Sequence, residues 1–426
     1  MNGSKGPERR QVMLLNHERA VKKMESNNLD VLIASSCENV NYCTNFETNT
    51  TYRYKYGRVQ AYCVLTRDYI LKPVLITPVD LLGHLTVKPS WVEDIRTHGT
   101  FYIYGKEQEK LRWPESQYNF LMSNCKNYRN ANEALLDVIK EKGLSKSRIG
   151  FDENNLPPNT WDYVMSSLPQ AQIMKAAGIF KDIRMVKTVE EIDHIQQSTQ
   201  INDDASRKVF EMVREGVTEG ELLRQYRQYV TDIGAFFGFY TTGSGPRGGG
   251  LFSVPPSNYV LQAGDSVRYD AGCIFNGYWS DTARTLFLGE PSQKQLKYFN
   301  AIFSGIRVVE SQMKAGVKVS ELFNSAIKAI RENGIPEYNR HHIGHSMGLE
   351  TYEPPMIRAS DRPIDSDIYL PEKGDMKLEE NMVINVECPY YDLQMGGLQF
   401  EETYIIKKDG YVRISTLDRG PYIKEV

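Results

Sequence analysis

The chain has 426 residues, with 51 Lys or Arg against 54 Asp or Glu and a formal net charge of −3. That length favours two or three domains with a sizeable core, and the balanced charge argues against a nucleic acid or an acidic membrane surface as a partner. No run approaches the roughly 18 apolar residues that span a bilayer, so the composition predicts a soluble protein that is not bound to a membrane.

The six cysteines are scattered, with no CxxC pair and no dense disulfide framework. The first residues, MNGSKGPERRQVML, lack the long apolar core of a signal peptide. Both observations predict reduced thiols and a cytoplasmic protein.

The first part of the chain alternates short apolar runs with amphipathic segments. Helices are predicted over 17–28, 131–141 and 161–168, and strands over 31–34, 62–65, 74–76 and 148–151. This alternation is typical of an α/β layer arrangement. We therefore predict an N-terminal α/β domain over residues 1–175 and a second domain over residues 176–426.

The second part contains long amphipathic helices and a weak internal repeat. Thr188, Thr218 and Ser292 each begin the S/T-x-x-E/Q pattern of a helix capping box. The segments 214–222 and 314–322 align at an offset of 100 residues. The repeat predicts two βα-rich halves related by a pseudo-twofold axis, with a site in the crevice between their sheets.

The stretch RYDAGCIFNGYWSDTARTLFL places Asp270 and Asp281 at the two ends of a hairpin-like unit. Phe275, Asn276 and Gly277 are the expected turn. Two neighbouring carboxylates are costly unless a proton or a cation lies between them. From this stretch alone, an ordinary strand end and a solvated turn remain as good an interpretation as a binding site.

The sequence further along the chain supplies more ligand types. A glycine-bearing loop contains His341, His342 and His345, and two apolar strands end in Glu387 and Glu401. Buried carboxylates are expensive without a partner. Four carboxylates with one imidazole and no thiolate suit a pair of divalent cations and argue against a structural zinc site.

The order Asp270, Asp281, His345, Glu387 and Glu401 resembles the metal-ligand pattern of the creatinase/aminopeptidase P/prolidase family, the "pita-bread" metallohydrolases. The resemblance covers roughly residues 180–410 by motif, and the preceding domain is similar to that of the prolidase branch. It implies an α/β (α+β) protein with a C-terminal pita-bread domain that contains a pseudo-twofold repeat, a homodimer, and a small-molecule or dipeptide substrate.

The resemblance also implies a role for each ligand. Asp270 would chelate one metal ion, Asp281 and Glu401 would bridge both, and His345 and Glu387 would complete the ligand set of the second metal ion. Two divalent ions are expected, manganese first, with iron, cobalt or zinc as alternatives, and such ions lower the pKa of a shared water and polarise a carbonyl. Glu387 is then the expected acid and base.

His341, four residues before the metal histidine, matches the family's substrate-facing histidine. A pair of loop histidines satisfied by backbone is the alternative for His341 and His342, and it is favoured for His342.

Three positions depart from the family's peptidases. Tyr352 stands where a histidine is usual, the segment 251–256 offers no histidine, and Gln399 replaces an arginine two residues before the last glutamate. A neutral phenol donates a hydrogen bond to a developing oxyanion but does not easily take up a proton. Tyr352 and Gln399 are therefore candidate substrate-contacting residues, and the departures leave the substrate open.

The glycine-rich stretch 240–250 lacks the lysine of a phosphate-binding loop. Its Arg247 is a candidate partner for a substrate carboxylate, and a lid with glycine hinges is the alternative.

Three functions remain open from the sequence. The leading hypothesis is a dinuclear metallohydrolase that cleaves a C–N bond in a dipeptide or small amide, similar to Xaa-Pro peptidases. The second is a lyase or a non-peptide C–N hydrolase on the same scaffold, similar to dimethylsulfoniopropionate lyase, creatinase or ectoine hydrolase, and Tyr352 motivates it. The third is a non-catalytic peptide-binding module, which the complete ligand set disfavours.

Overall fold

The computed structural model describes residues 13–47, 60–105, 111–154, 156–250, 256–360 and 375–426. They fall into two compact units, Met1–Arg184 and Met185–Val426. The boundary predicted near residue 175 lies one helix before this division, because Ala177–Arg184 packs within the first unit against His17–Ser26. Within these ranges, every helix is too short or too polar to cross a membrane.

The first unit is a mixed α/β layer. Its described strands are β1 (Val31–Ala34), β2 (Tyr62–Thr66), β3 (Val74–Pro78), β4 (Asp94–His98), β5 (Lys126–Tyr128), β6 (Arg148–Phe151) and β7 (Gln172–Lys175). They form one sheet in the order β5-β4-β3-β2-β1-β6-β7, in which β2 runs antiparallel to both of its neighbours. Its described helices are α1 (His17–Ser26), α2 (Cys37–Thr44), α3 (Leu82–Val87), α4 (Glu115–Asn124), α5 (Ala131–Glu141), α6 (Thr160–Ser167) and α7 (Ala177–Arg184).

Apolar side chains from the sheet and from α5 form the core of this unit. Val31 and Ile33, on one face of β1, share a buried cluster with Leu135 and Ile139 of α5. The predicted bounds of β1, β6 and α5 are confirmed, because these elements carry the apolar patterns that such packing requires.

The second unit consists of helix pairs against one large sheet. Its described strands are β8 (Phe236–Ser244), β9 (Ser266–Phe275), β10 (Tyr278–Trp279), β11 (Thr282–Leu288), β12 (Gly344–Ser346), β13 (Glu353–Met356), β14 (Val383–Glu387), β15 (Tyr390–Asp392), β16 (Gly396–Leu398), β17 (Glu401–Lys407), β18 (Gly410–Arg413) and β19 (Tyr422–Lys424). Its described helices are α8 (Val189–Met212), α9 (Glu219–Asp232), α10 (Gln293–Gln312) and α11 (Val319–Glu332).

The sheet joins the two halves of the repeat. Its main path runs β10-β9-β11-β17-β14-β12-β13, with β8, β18 and β19 on side branches, and β15 and β16 form a separate hairpin. The sequence predicted two sheets with a crevice between them. The structure instead has one continuous sheet, because β11 of the first half pairs directly with β17 of the second.

The internal repeat is present as two similar helix pairs, α8–α9 and α10–α11. Both pairs turn at glycines with positive φ, Gly216 and Gly316, whose backbone N–H groups bond to Leu261 and Leu378. The capping boxes predicted at the starts of α8, α9 and α10 are all formed. The 100-residue offset therefore reflects a structural repeat.

Candidate metal centre

The sheet places four of the five predicted ligands on neighbouring strands, and the fifth, Asp281, directly precedes β11. The hairpin turn at Asn276 and Gly277 has positive φ at both residues, and it returns the chain so that Asp270 of β9 lies opposite Ala283 of β11. Ala283 in turn pairs with Glu401 of β17, which pairs with Glu387 of β14. Asp270, Glu401 and Glu387 therefore lie in a row that runs across the strands of the sheet. Together with Asp281, which directly precedes β11, they are called the acidic row.

Asp281 and Glu401 lie close to His345. All three are buried, and each offers one ligand atom within 4.8 Å of the others. Among the described residues, Asp281 Oδ1, Asp270 Oδ1 and His345 Nε2 are buried without a hydrogen-bond partner. Buried polar atoms are normally paired, so unpaired carboxylate oxygens and an unpaired imidazole nitrogen are suited to binding a divalent cation.

Burial and mutual repulsion disturb the carboxyl groups of the row. Burial, opposed by Arg268 and reinforced by Glu387, raises the pKa of Asp270 to about 6. Burial first, and then the neighbouring carboxylates, raise the pKa values of Asp281 and Glu401 well above their ordinary range. Without a cation, the site therefore retains protons that a cation would displace.

The imidazole of His345 is oriented for coordination. Its Nδ1 lies 3.1 Å from the carbonyl oxygen of Ser346, which fixes the proton on Nδ1 and leaves a lone pair on Nε2. Nε2 lies 3.7 Å from Asp281 Oδ2. Burial lowers the pKa of His345 to about 4, so the ring is neutral near pH 7, as a ligand must be.

Glu387 lies close to an imidazole and a guanidinium. Its Oε1 lies 3.2 Å from Nδ1 of the buried His342, and its Oε2 lies 3.9 Å from Nη2 of Arg340. Burial lowers the pKa of His342 to about 3. The sequence favoured a backbone-satisfied role for His342, whereas the structure places its ring beside Glu387.

Tyr352 and His341 lie against the rings of His345 and His342. The Tyr352 ring stacks on His345 with centroids 4.0 Å apart, and the exposed His341 contacts His342 edge-on at 4.3 Å. Although 43 % of Tyr352 is exposed, desolvation and the charge of Glu387 raise the pKa of its phenol. The phenol therefore keeps its proton at neutral pH and is available as a hydrogen-bond donor.

Gln399 lies inside the acidic row. Its Nε2 donates to Glu401 Oε2 at 2.8 Å and to Asp270 Oδ2 at 3.3 Å. The predicted substrate-contacting residue is therefore 1 % exposed and bonded to two candidate ligands.

The glycine-rich stretch is mostly ordered secondary structure. It comprises the end of β8 and a 3₁₀ turn, Gly245–Gly249. A Cβ on Gly248 would lie 2.6 Å from the Gly243 oxygen and 2.9 Å from the Gly397 nitrogen, so close backbone packing explains the glycine content. Arg247, on this turn, lies 3.8 Å from Glu219 and over the ring of Tyr259. Residues 251–255 of the segment 251–256, which contains no histidine, lie outside the described residues.

Three residues beside the site were not predicted from the sequence: Arg268, Arg340 and Tyr391. Both arginines lie against the ring of Tyr391, at 5.8 and 5.7 Å from its centroid. An arginine in a strand is ordinarily exposed, so its type gave no signal. The one available signal was position, because Arg268 is two residues from Asp270 and therefore shares its face of β9.

Comparison with known proteins identifies the family. Residues 193–408 match metallopeptidase family M24, and residues 97–186 match the creatinase/prolidase N-terminal domain. The chain belongs to metallopeptidase family M24. The predicted pita-bread domain and the preceding creatinase/prolidase-type domain are thereby confirmed.

Individual M24 relatives support this assignment. An Xaa-Pro dipeptidase of Pyrococcus furiosus is 30 % identical over 250 residues, which are 58 % of this chain and 68 % of the relative. An Xaa-Pro dipeptidase of Pyrococcus horikoshii is 26 % identical over 329 residues, 75 % of this chain and 88 % of the relative. A solved Xaa-Pro dipeptidase from Bacillus anthracis superimposes with a TM-score of 0.75 at 21 % identity, covering 96 % and 99 % of the two chains. The protein is a prolidase-like metallopeptidase that cleaves peptide bonds.

Proposed function

We propose that this M24 protein is a dinuclear hydrolase of small peptides that acts as an Xaa-Pro dipeptidase or aminopeptidase. The observation that carries the proposal is the buried group of Asp281, His345 and Glu401, whose ligand atoms lie within 4.8 Å of one another. The dipeptidase of Pyrococcus furiosus, similar to this chain over 250 residues, supports the choice of substrate class.

Five residues are proposed to hold two divalent ions. Asp270 would hold one ion, His345 and Glu387 would hold the other, and Asp281 and Glu401 would serve both. The oxygen-rich donor set favours manganese, with iron, cobalt or zinc as alternatives. Such ions lower the pKa of a bound water and polarise the scissile carbonyl.

The proposed roles of the protein side chains follow from their contacts. Glu387 takes up a proton and later returns it to the leaving amine, and His342 Nδ1 lies 3.2 Å from its carboxylate. Tyr352 donates to the carbonyl oxygen as charge develops there, and His341 orients the substrate from the exposed side. Arg247 remains a proposed substrate contact, whereas the buried amide of Gln399 contacts the carboxylates instead. A homodimer remains the proposed assembly.

Metal reconstitution tests the proposal. Protein stripped with a chelator is reloaded with Mn, Co, Fe or Zn, and metal content and hydrolysis are measured on Xaa-Pro dipeptides, dipeptides without proline, and longer Xaa-Pro peptides. We expect about two ions per chain, by analogy with two-metal hydrolases, and cleavage that requires the metal. Substoichiometric metal together with metal-independent cleavage would refute the proposal.

The sequence raised one alternative through Tyr352, namely elimination or hydrolysis of a non-peptide C–N bond. Labelled solvent water separates hydrolysis from elimination, since only hydrolysis places solvent oxygen in the acid product. An unsaturated product without that oxygen identifies a lyase.

A further inference from the structure

A fully buried arginine lies beside the acidic row. Arg268 is 0 % exposed, and its Nη1 lies 3.4 Å from Asp270 Oδ2, 3.0 Å from Gln399 Oε1 and 3.3 Å from Thr241 Oγ1. A buried guanidinium is costly unless it is paired and hydrogen-bonded. The hydrogen bonds to Asp270, Gln399 and Thr241 therefore offset part of the cost of burying Arg268.

The amide of Gln399 connects this arginine to the candidate ligands. Its oxygen accepts from Arg268, so its nitrogen must face the other way, where it donates to Asp270 Oδ2 at 3.3 Å and to Glu401 Oε2 at 2.8 Å. Because donor and acceptor ends are both matched, the amide has one favourable orientation. Asn385 Nδ2 donates to the other oxygen of Glu401 at 2.6 Å, so both oxygens of that carboxylate are held.

The neighbouring backbone leaves room for the arginine. A Cβ on Gly397 would lie 3.1 Å from Arg268 Cδ and 2.6 Å from the Gly248 oxygen. The side chain of Arg268 therefore passes a glycine that precedes Gln399 by two residues. Arg268 therefore packs closely against Gly397 and donates a hydrogen bond to Gln399.

We propose that Arg268 is a positioning residue which, through the Gln399 amide, holds the carboxylates of Asp270 and Glu401 in place for cations. In this way β9 supplies a positive charge that acts on both carboxylates through the Gln399 amide. The inference rests on the proposed metal centre.

An exchange experiment tests the relay. Calorimetry with Mn²⁺ on metal-free protein measures affinity for Arg268→Leu, Gln399→Arg and the double variant, and thermal unfolding without metal is measured in parallel. Loss of an outer-shell partner typically weakens metal affinity about 10–100-fold, so we expect that loss in Arg268→Leu. Gln399→Arg adds a second buried positive charge, and we expect it to weaken Mn²⁺ binding as well. The double variant restores one arginine beside both carboxylates, and we expect its affinity to recover most of the loss.

Matched controls separate the relay from a general effect on folding. Arg268→Lys keeps the charge and should bind more tightly than Arg268→Leu, and Arg413→Leu, which removes an arginine bonded to Glu402, should leave the affinity unchanged. If Arg268→Leu does not fold, Gln399→Met breaks the relay while leaving Arg268 beside Asp270, and the same weakening is expected. Folded Arg268→Leu or Gln399→Met that binds Mn²⁺ as tightly as the wild type, or a double variant no better than Arg268→Leu, would overturn the relay. A wild-type chain that takes up no metal would overturn the proposed function and the relay with it.

Discussion

Two consecutive glutamates on β17 are expected to respond in opposite ways to the same substitution. Successive side chains of a strand point to opposite faces of the sheet, so Glu401 and Glu402 face different surroundings. Glu401 accepts from the amides of Asn385 and Gln399 in the acidic row. Glu402 instead pairs with Arg284 at 2.8 Å.

For Glu402→Gln we expect a large loss of stability. Glu402 and Arg284 are both 0 % exposed, and Arg413 and Arg419 lie 3.1 Å from the same carboxylate. Removing one partner of a buried ion pair costs about 3–5 kcal/mol, because the other charge stays buried without compensation. Metal content should not change, because Glu402 faces away from the row.

For Glu401→Gln we expect little loss of stability without metal and a loss of bound metal. The carboxylate is buried among other carboxylates, which raises its pKa, so its removal relieves repulsion. The glutamine NH₂ would meet one of two donors, Asn385 or Gln399, and one hydrogen bond worth about 1 kcal/mol is lost. The two effects oppose each other in the free energy of unfolding.

Urea unfolding in chelator and metal analysis after reloading measure both quantities for both variants. Glu402→Gln should lower the unfolding midpoint and keep its metal, whereas Glu401→Gln should leave the midpoint nearly unchanged and lose its metal. Loss of metal in Glu402→Gln with retention in Glu401→Gln would show that the faces of β17 are assigned the wrong way round.

Three further predictions concern residues around the row. Lys187→Met should destabilise the protein by about 3–5 kcal/mol in urea unfolding, because it breaks a buried ion pair. That pair joins Lys187 to Glu353 at 3.0 Å, and the exposed Lys328→Met, with its partner 3.9 Å away, is the control expected to be near neutral. Burial raises the pKa of Glu191 from 4.5 to about 8, so the folded state holds a proton that the unfolded state has released. Stability should therefore fall as pH rises from 4.5 to 8, by at most about 1.4 kcal/mol per pH unit; Glu191→Gln should remove this part of the slope, and an unchanged slope would refute the assignment. Tyr352→Phe should lower kcat about 100-fold with unchanged metal content, as loss of an oxyanion donor does, and an unchanged kcat in steady-state assays would exclude that role.

Local signals in the sequence predicted much of the fold. The capping boxes at Thr188, Thr218 and Ser292 depend on residues three apart, and α5 has a clear apolar face, so these elements were predictable. Strand β4 was missed, since its sequence DIRTH shows no apolar alternation. It is held by parallel pairing with β3 and β5, which no local pattern shows.

The candidate carboxylates could be proposed from the sequence because most of them adjoin apolar strands. Glu387 ends β14 as predicted, whereas Glu401 begins β17 rather than ending a strand. The sequence did not show which other side chains contact these carboxylates. Gln399 was predicted as a substrate contact, whereas its 3.0 Å bond to Arg268 joins residues 131 positions apart in the chain. Such contacts depend on the register of β9, β11 and β17 rather than on spacing in the sequence.

Neighbouring parts of the chain supply an imidazole and a guanidinium close to positions 352 and 399. At position 352, the ring of His342 lies 6.1 Å from the tyrosine and its Nδ1 lies 3.2 Å from Glu387. Position 399 has no arginine, but Arg268 bonds to the residue there. Because neighbouring strands converge on one row, the same chemical group can enter from a different strand. The tyrosine at position 352 alone therefore gives no reason to prefer elimination over peptide hydrolysis, and a histidine introduced there would add a second imidazole beside Glu387 rather than restore a lost one.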